Sequence, residues 1–274
     1  MAAWDSRNGR GPLAPRGPGN QAAAFRHLCR SSPWKWQSLR FEYLDRPLTS
    51  SAGSPTASPD GLVRAWLRRP GALRLETADG LVIASTTGIN DSRGGFYVSS
   101  TRKTWLLPPN LVTPVYDDDG LVRRRPEAAY GEPSFGNGRF AAALDPVELA
   151  GNSPVPLEFP NANAVELGPI TEVDHEGRPA LETTVSPNPS YRPFDPTTPL
   201  CRPGRTLLRI DAGTGVCVAS RWLDAPGASD GPVGYGHWIR ILGVDEYMLD
   251  DLFLAESMNL TDVRRHISWD VPAE

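Results

Sequence analysis

The feature that most constrains this chain is a run of short apolar-alternating segments cut by turn dipeptides between Leu62 and Ser85. Leu62 to Arg68 reads as one strand, Pro70-Gly71 as a turn, and Leu73 to Glu76 as the next strand. Asp79-Gly80 turns the chain again into Leu81 to Ser85. Successive side chains of a strand point to opposite sides, so this spacing puts Arg64, Trp66 and Arg68 on one face and Val63, Ala65 and Leu67 on the other. Half-apolar strands joined by tight turns describe an antiparallel meander with one buried face.

The same grammar extends along the chain. Trp34, Trp36, Leu39, Phe41 and Tyr43 alternate and predict a first strand, preceded by a short amphipathic helix over Gln21–Arg30 that stops before Pro33. The Ser/Pro/Gly tract from Ser50 to Gly61 reads as a loop, and Gly95–Ser100 and Thr104–Leu107 as further strands. Between Asp117 and Phe159 the strand signal lapses, and Arg139–Leu144 with Pro146–Gly151 predict one or two helices. Strands resume at Ile170–Val173 and Ala180–Val185, on either side of the Asp174–Gly177 turn. Ser186–Gly204, with six prolines, is expected to be a long loop. Thr206–Ile210, the Asp211–Gly215 turn, Val216–Leu223 and His237–Leu242 complete the strands, and Asp250–Phe253 ends on a short helix.

At 274 residues with 39% hydrophobic residues, the chain has apolar material enough for one large β domain. A formal charge of −4 supplies no basic excess for a phosphate backbone, so nucleic acid is excluded as the expected partner. Arg123-Arg124-Arg125 stands beside Asp117-Asp118-Asp119 and Glu127, which predicts a mixed, solvated loop. Nothing in the sequence has the apolar length of a transmembrane span. The first twenty residues lack the apolar run of a secretory signal, and Cys29, Cys201 and Cys217 lack metal or redox spacing; both point to a cytoplasmic protein with reduced thiols.

Val63-Arg-Ala-Trp-Leu-Arg-Arg-Pro-Gly-Ala-Leu-Arg-Leu-Glu76 resembles the strand, Pro-Gly turn and return strand of the LolA/RseB/LppX-like lipid and lipoprotein binders. Leu208-Arg-Ile-Asp-Ala-Gly-Thr-Gly-Val216, running on to Leu223-Asp224, is similar to that group's Asp-x-x-Thr-Gly hairpin, and Tyr97, Trp105 and Phe253 extend the resemblance. It implies an α+β, mostly β fold: a large curved antiparallel sheet, or half-barrel, with a few short helices on its concave face. Residues 21–256 would form this domain, after a disordered tail at 1–20 and before a C-terminal extension at 257–274. The group's members are exported, whereas this N-terminus is read as having no export signal.

Chemistry-bearing residues are sparse. His27 and Cys29 stand two apart on a predicted helix and so do not face one another. Cys217 between Val216 and Val218 reads as a small apolar side chain, with a Cys217–His237 pair as the catalytic alternative. Asp117-Asp118-Asp119-Gly120 lacks the spaced oxygen ligands of a calcium loop, and Gly213-Thr-Gly215 lacks a following helix for phosphate. No catalytic residue, metal site or cofactor is assigned. The candidate binding set is Trp66, Phe96, Trp105, Trp222 and Trp238, which in a half-barrel would line a cavity for a hydrophobic or lipid-linked ligand. The expected function is therefore a non-catalytic binding protein. Two alternatives stand beside it: a scaffold whose sheet is filled and whose loop around Tyr191, Phe194 and Pro199 docks another protein, and an enzyme using His237 or His175 as a base.

Overall fold

A computed structural model of the chain describes residues 18–46, 61–87, 109–127, 138–156, 158–159, 163–225 and 235–254. The expected loop at 50–61, strands at 95–107, N-terminal tail up to residue 17 and extension at 257–274 lie outside the described residues, Gly61 excepted. The chain opens with helix α1 (Pro18–Lys35), followed by strands β1 (Ser38–Leu44), β2 (Val63–Arg68), β3 (Ala72–Thr77) and β4 (Val82–Thr86). A small hairpin, β5 (Val115–Tyr116) and β6 (Val122–Arg124), leads to helix α2 (Gly138–Leu144) and a 3₁₀ turn at Pro146–Leu149. The remaining strands are β7 (Val165–Leu167), β8 (Thr171–His175), β9 (Arg178–Pro187), β10 (Thr206–Asp211), β11 (Cys217–Trp222) and β12 (Gly236–Val244).

Ten of these strands form one antiparallel sheet in the order β4-β3-β2-β1-β12-β11-β10-β9-β7, with β8 also paired to β9. The fold is mostly β, and among the described residues the sheet is open between β4 and β7. The first and last of these strands meet in its middle: β1 pairs with β12 from Leu39↔Val244 to Leu44↔Trp238. On one face Leu39, Phe41, Ala65, Leu67, Leu73, Leu75, Leu208 and Ile239 are buried with Phe25, Leu28 and Cys29 of α1. Phe140 of α2 lies 5.9 Å from the Phe41 ring and edge-on to Tyr43 at 5.2 Å. Burying a side chain of that size contributes about 1.5–3 kcal/mol, so these helices and this sheet face hold each other.

Three local expectations are corrected. Helix α1 runs through Pro33 to Lys35, so Trp34 is helical and the first strand starts only at Ser38. Pro33 costs a hydrogen bond in that last turn, and tertiary bonds offset it. Arg30 donates to the carbonyls of Ala150 and Gly151, both at 2.7 Å, and Ser32 Oγ to that of Leu144 at 2.6 Å. The span after Asp117 holds strand β6, because Asp117 Oδ1 accepts the N–H groups of Asp119 and Leu121 and closes a hairpin turn there. Arg125 is buried rather than solvated: it donates to Arg30 O and pairs with Asp145.

The turn after β10 explains its glycine. Gly215 has φ +75°, and a Cβ there would lie 2.9 Å from the Leu28 carbonyl of α1. Only glycine meets both conditions.

Candidate functional site

Cross-strand register decides where the tryptophans go. Trp66 pairs with Arg40 on one side and Arg74 on the other, on the sheet face opposite Leu39, Ala65 and Leu73. It packs with Ala72, Met248, Leu252 and Phe253. Trp238 shares that face through its pairing with Leu44, yet belongs to a separate cluster with Leu44, Leu62 and Ala78. Its Nε1 is buried without a hydrogen-bond partner. Trp222 stands three positions from Ala219, the partner of Trp238, and therefore points to the other side of the sheet. Its Nε1 donates to Pro203 O at 2.9 Å. The structure thus does not bring Trp66, Trp222 and Trp238 together, and Phe96 and Trp105 lie outside the described residues.

The histidines do carpentry. Between Arg209 and Ile210 the register with β11 slips by one, leaving Val218 as a bulge, and pairing of β11 with β12 runs only from Arg221↔Gly236 to Ala219↔Trp238. Two imidazoles bridge the split. His237 Nε2 meets the Cys217 carbonyl at 2.7 Å, with Nδ1 2.8 Å from Ser220 Oγ. His175 Nε2 meets the Ile239 carbonyl at 2.8 Å. A carbonyl only accepts, so each Nε2 carries the proton and donates. Burial, with Arg139 and His175 adding to it, pushes His237 down to about 3 against the opposing pull of its Cys217 bond, and burial lowers His175 as well.

His237 faces the backbone of Cys217, not its thiol, whose sulfur points to Ala219 O at 3.5 Å. Burial raises all three thiols, Cys29 to about 12, so none is a ready nucleophile. His27 Nδ1 lies 2.6 Å from Asp117 Oδ2, joining α1 to the β5–β6 hairpin. Among the described residues no group of three or more His, Cys, Asp or Glu side chains is placed to hold a metal ion, and no helix is long and apolar enough to cross a membrane.

The residue that sequence reasoning missed is Glu148. It sits in the 3₁₀ turn at Pro146–Leu149 and is 6% exposed. Its Oε1 accepts from Tyr191 Oη at 2.5 Å and Leu200 N at 2.8 Å, and its Oε2 accepts from Phe194 N at 2.7 Å. Burial raises this carboxyl above the ordinary range, against the three donors, which favour its charged form. Tyr191 Oη also receives Cys201 N at 3.2 Å.

Glu148 thereby pins the proline-rich segment between β9 and β10 at three points, and other contacts fix the rest. Asp195 accepts from Thr197 and Thr198 and from Gly138 N. Tyr235 Oη donates to Pro199 O at 2.8 Å, and its ring lies between the guanidinium groups of Arg139 and Arg202, at 3.7 and 4.0 Å. The pinned loop holds Tyr191 and Leu200 in and leaves Phe194 58% exposed. A signal for Glu148 was in the sequence: one carboxylate inside the apolar run Val147-Glu-Leu-Ala150. Comparisons of the sequence with protein-family models and with curated proteins return no match.

Proposed function

We propose that this chain is a non-catalytic binding protein that contacts another protein through the loop 188–205, with Phe194 as its anchor. The observation carrying this reading is Glu148: a buried carboxylate, expensive to desolvate, is spent on fixing a surface loop that displays an exposed aromatic ring. A loop already ordered loses little entropy on binding, and aromatic rings on such loops are frequent anchors of protein interfaces.

The surface reading also follows from the sheet. Its helix-covered face is filled by Phe25, Phe41, Phe140 and their neighbours, each essentially buried, and Trp66 and Trp238 face the other way. The resemblance to the LolA/RseB/LppX-like group is kept within this reading, with contact made by the surface loop rather than in a cavity.

The test is a photo-crosslinking phenylalanine analogue at position 194, with the same analogue at exposed Leu81 as control, followed by native mass spectrometry. A single protein adduct at 194 that disappears on Glu148→Ala supports the reading. Equal labelling at both positions, or a stoichiometric lipid adduct on the purified chain with no protein adduct, overturns it in favour of a ligand carrier.

A further inference from the structure

After β12 the chain does not leave the sheet. Asp245 takes a left-handed conformation, φ +55°, its Oδ1 accepts the N–H groups of Gln37 and Ser38, and its own N–H donates to Ser38 O. Aspartate is among the few residues that tolerate this geometry. Residues 246–254 then run across β1, β2, β3 and β4 on the face opposite the helices.

An arginine on each of three strands holds this segment. Arg40 of β1 forks onto both oxygens of Glu246, at 2.8 and 3.0 Å. Arg68 of β2 donates to Met248 O at 2.6 Å and to Asp250 at 2.5 Å, with its guanidinium 5.0 Å over the Phe253 ring. Arg74 of β3, itself 4% exposed, donates to the carbonyls of Leu252 and Leu254. Ser85 of β4 reaches Phe253 O. Met248 and Phe253 are the buried anchors, set beside Ala72 and Trp66. Tyr247, Leu249 and Leu254 point outward, at 89%, 60% and 49% exposure.

This is the chemistry of peptide recognition. Main-chain carbonyls are gripped by side chains of a rigid sheet, carboxylates meet arginines, and two apolar side chains fill the spaces between. The segment makes no strand pairing of its own beyond Val244, and its outward apolar row gains nothing from staying in place. We propose that this face of β1–β4 is a binding surface for an acidic peptide that closes in a 3₁₀ turn, as the resident segment does at Asp250–Phe253, with carboxylates at its first and fifth positions and apolar anchors at its third and eighth. Residues 246–254 occupy it in cis and compete with such a partner. The surface is separate from the Phe194 loop and stands or falls without it.

The test uses the full chain carrying Met248→Ala and Phe253→Ala, which loosens the resident segment and leaves the sheet face unchanged. The probe is a fluorescein-labelled synthetic peptide of residues 245–254 with the native sequence. Fluorescence anisotropy is expected to show binding at least tenfold tighter to the variant than to the native chain, because the resident segment reduces the fraction of competent surface. The affinity should fall with added salt, as arginine–carboxylate recognition requires. Equal affinity for both chains, or no binding to a variant whose circular dichroism matches the native chain, overturns the proposal. If the variant does not fold, hydrogen exchange on the native chain decides. The hydrogen-bonded amides of Leu252 and Leu254 are expected to exchange at least a hundredfold faster than those of β3, and equal protection means the segment is an integral cover and no competitor.

Discussion

Replacing Glu148 by glutamine preserves side-chain volume and removes only the second oxygen. One amide oxygen can still accept from Tyr191 Oη and Leu200 N, but the NH₂ group now meets the Phe194 N–H, donor against donor. Leaving a buried donor unpaired costs about 1–3 kcal/mol, and the Phe194 N–H is only partly buried, so Glu148→Gln should destabilise the fold by about 1 kcal/mol. Glu148→Ala strands all three donors and should cost about 3–5 kcal/mol. Urea denaturation gives the totals and hydrogen exchange gives the location. The Phe194 amide should lose at least tenfold protection in Glu148→Gln beyond any change in the amide of Leu208, which reports the sheet. A glutamine variant within about 0.5 kcal/mol of the native chain, with Phe194 protection unchanged, would refute the idea that this carboxylate organises the loop.

The split between β11 and β12 makes stability depend on acid. His237 is held neutral in the fold, about 3 against an ordinary 6.5, so its contribution is fully present above pH 6.5. As pH falls from there toward 3 the unfolded chain takes up the proton first, and on the order of 4 kcal/mol is lost; His175 acts in the same direction. Urea midpoints at pH 7, 5 and 4 should decline in that order, and a His237→Gln variant should show a flatter decline; parallel pH curves for the two chains would contradict the assignment. Trp238→Phe removes a buried N–H that bonds to nothing and should change stability by less than about 1 kcal/mol; a loss near the several kcal/mol of a core truncation means the indole has a partner. Gly215→Ala, forced into φ +75° against the Leu28 carbonyl, should cost about 2 kcal/mol or more in thermal unfolding, and a neutral result would show that the α1 contact yields freely.

The antiparallel meander was legible because its information is local. Turn dipeptides and period-two alternation place β2, β3 and β4 within a residue or two, and the same reasoning finds β10, β11 and β12. Alternation separates two faces but carries no label for which one the helices will cover. For β2 the helices took the side of Ala65 and Leu67, and Trp66 and Arg68 of the opposite row became the floor under residues 246–254. That outcome depends on pairings such as Arg68 with Asp250, 182 positions away, which no window along the chain contains.

Helix ends failed for a related reason. A proline inside a helix is a strong local stop, and Pro33 was overridden only because Arg30 and Ser32 found carbonyls at Ala150, Gly151 and Leu144. The same logic separates a structural histidine from a catalytic one. From sequence, His237 and Cys217 are two reactive side chains on neighbouring strands. In the fold the bulge at Val218 breaks the pairing beside them, and a broken ladder leaves carbonyls to be satisfied. Imidazole reaches farther than a backbone N–H and donates from its tip, so His237 and His175 do the work of the missing ladder bonds from the two sides of the split. Each Nε2 is committed to a backbone carbonyl, and each Nδ1 lies against a side chain, Ser220 Oγ for His237 and the Arg209 guanidinium for His175. Among the exposed apolar groups of the described residues are the Phe194 ring and the outward row of Tyr247, Leu249 and Leu254, and contact between chains is the chemistry such groups serve.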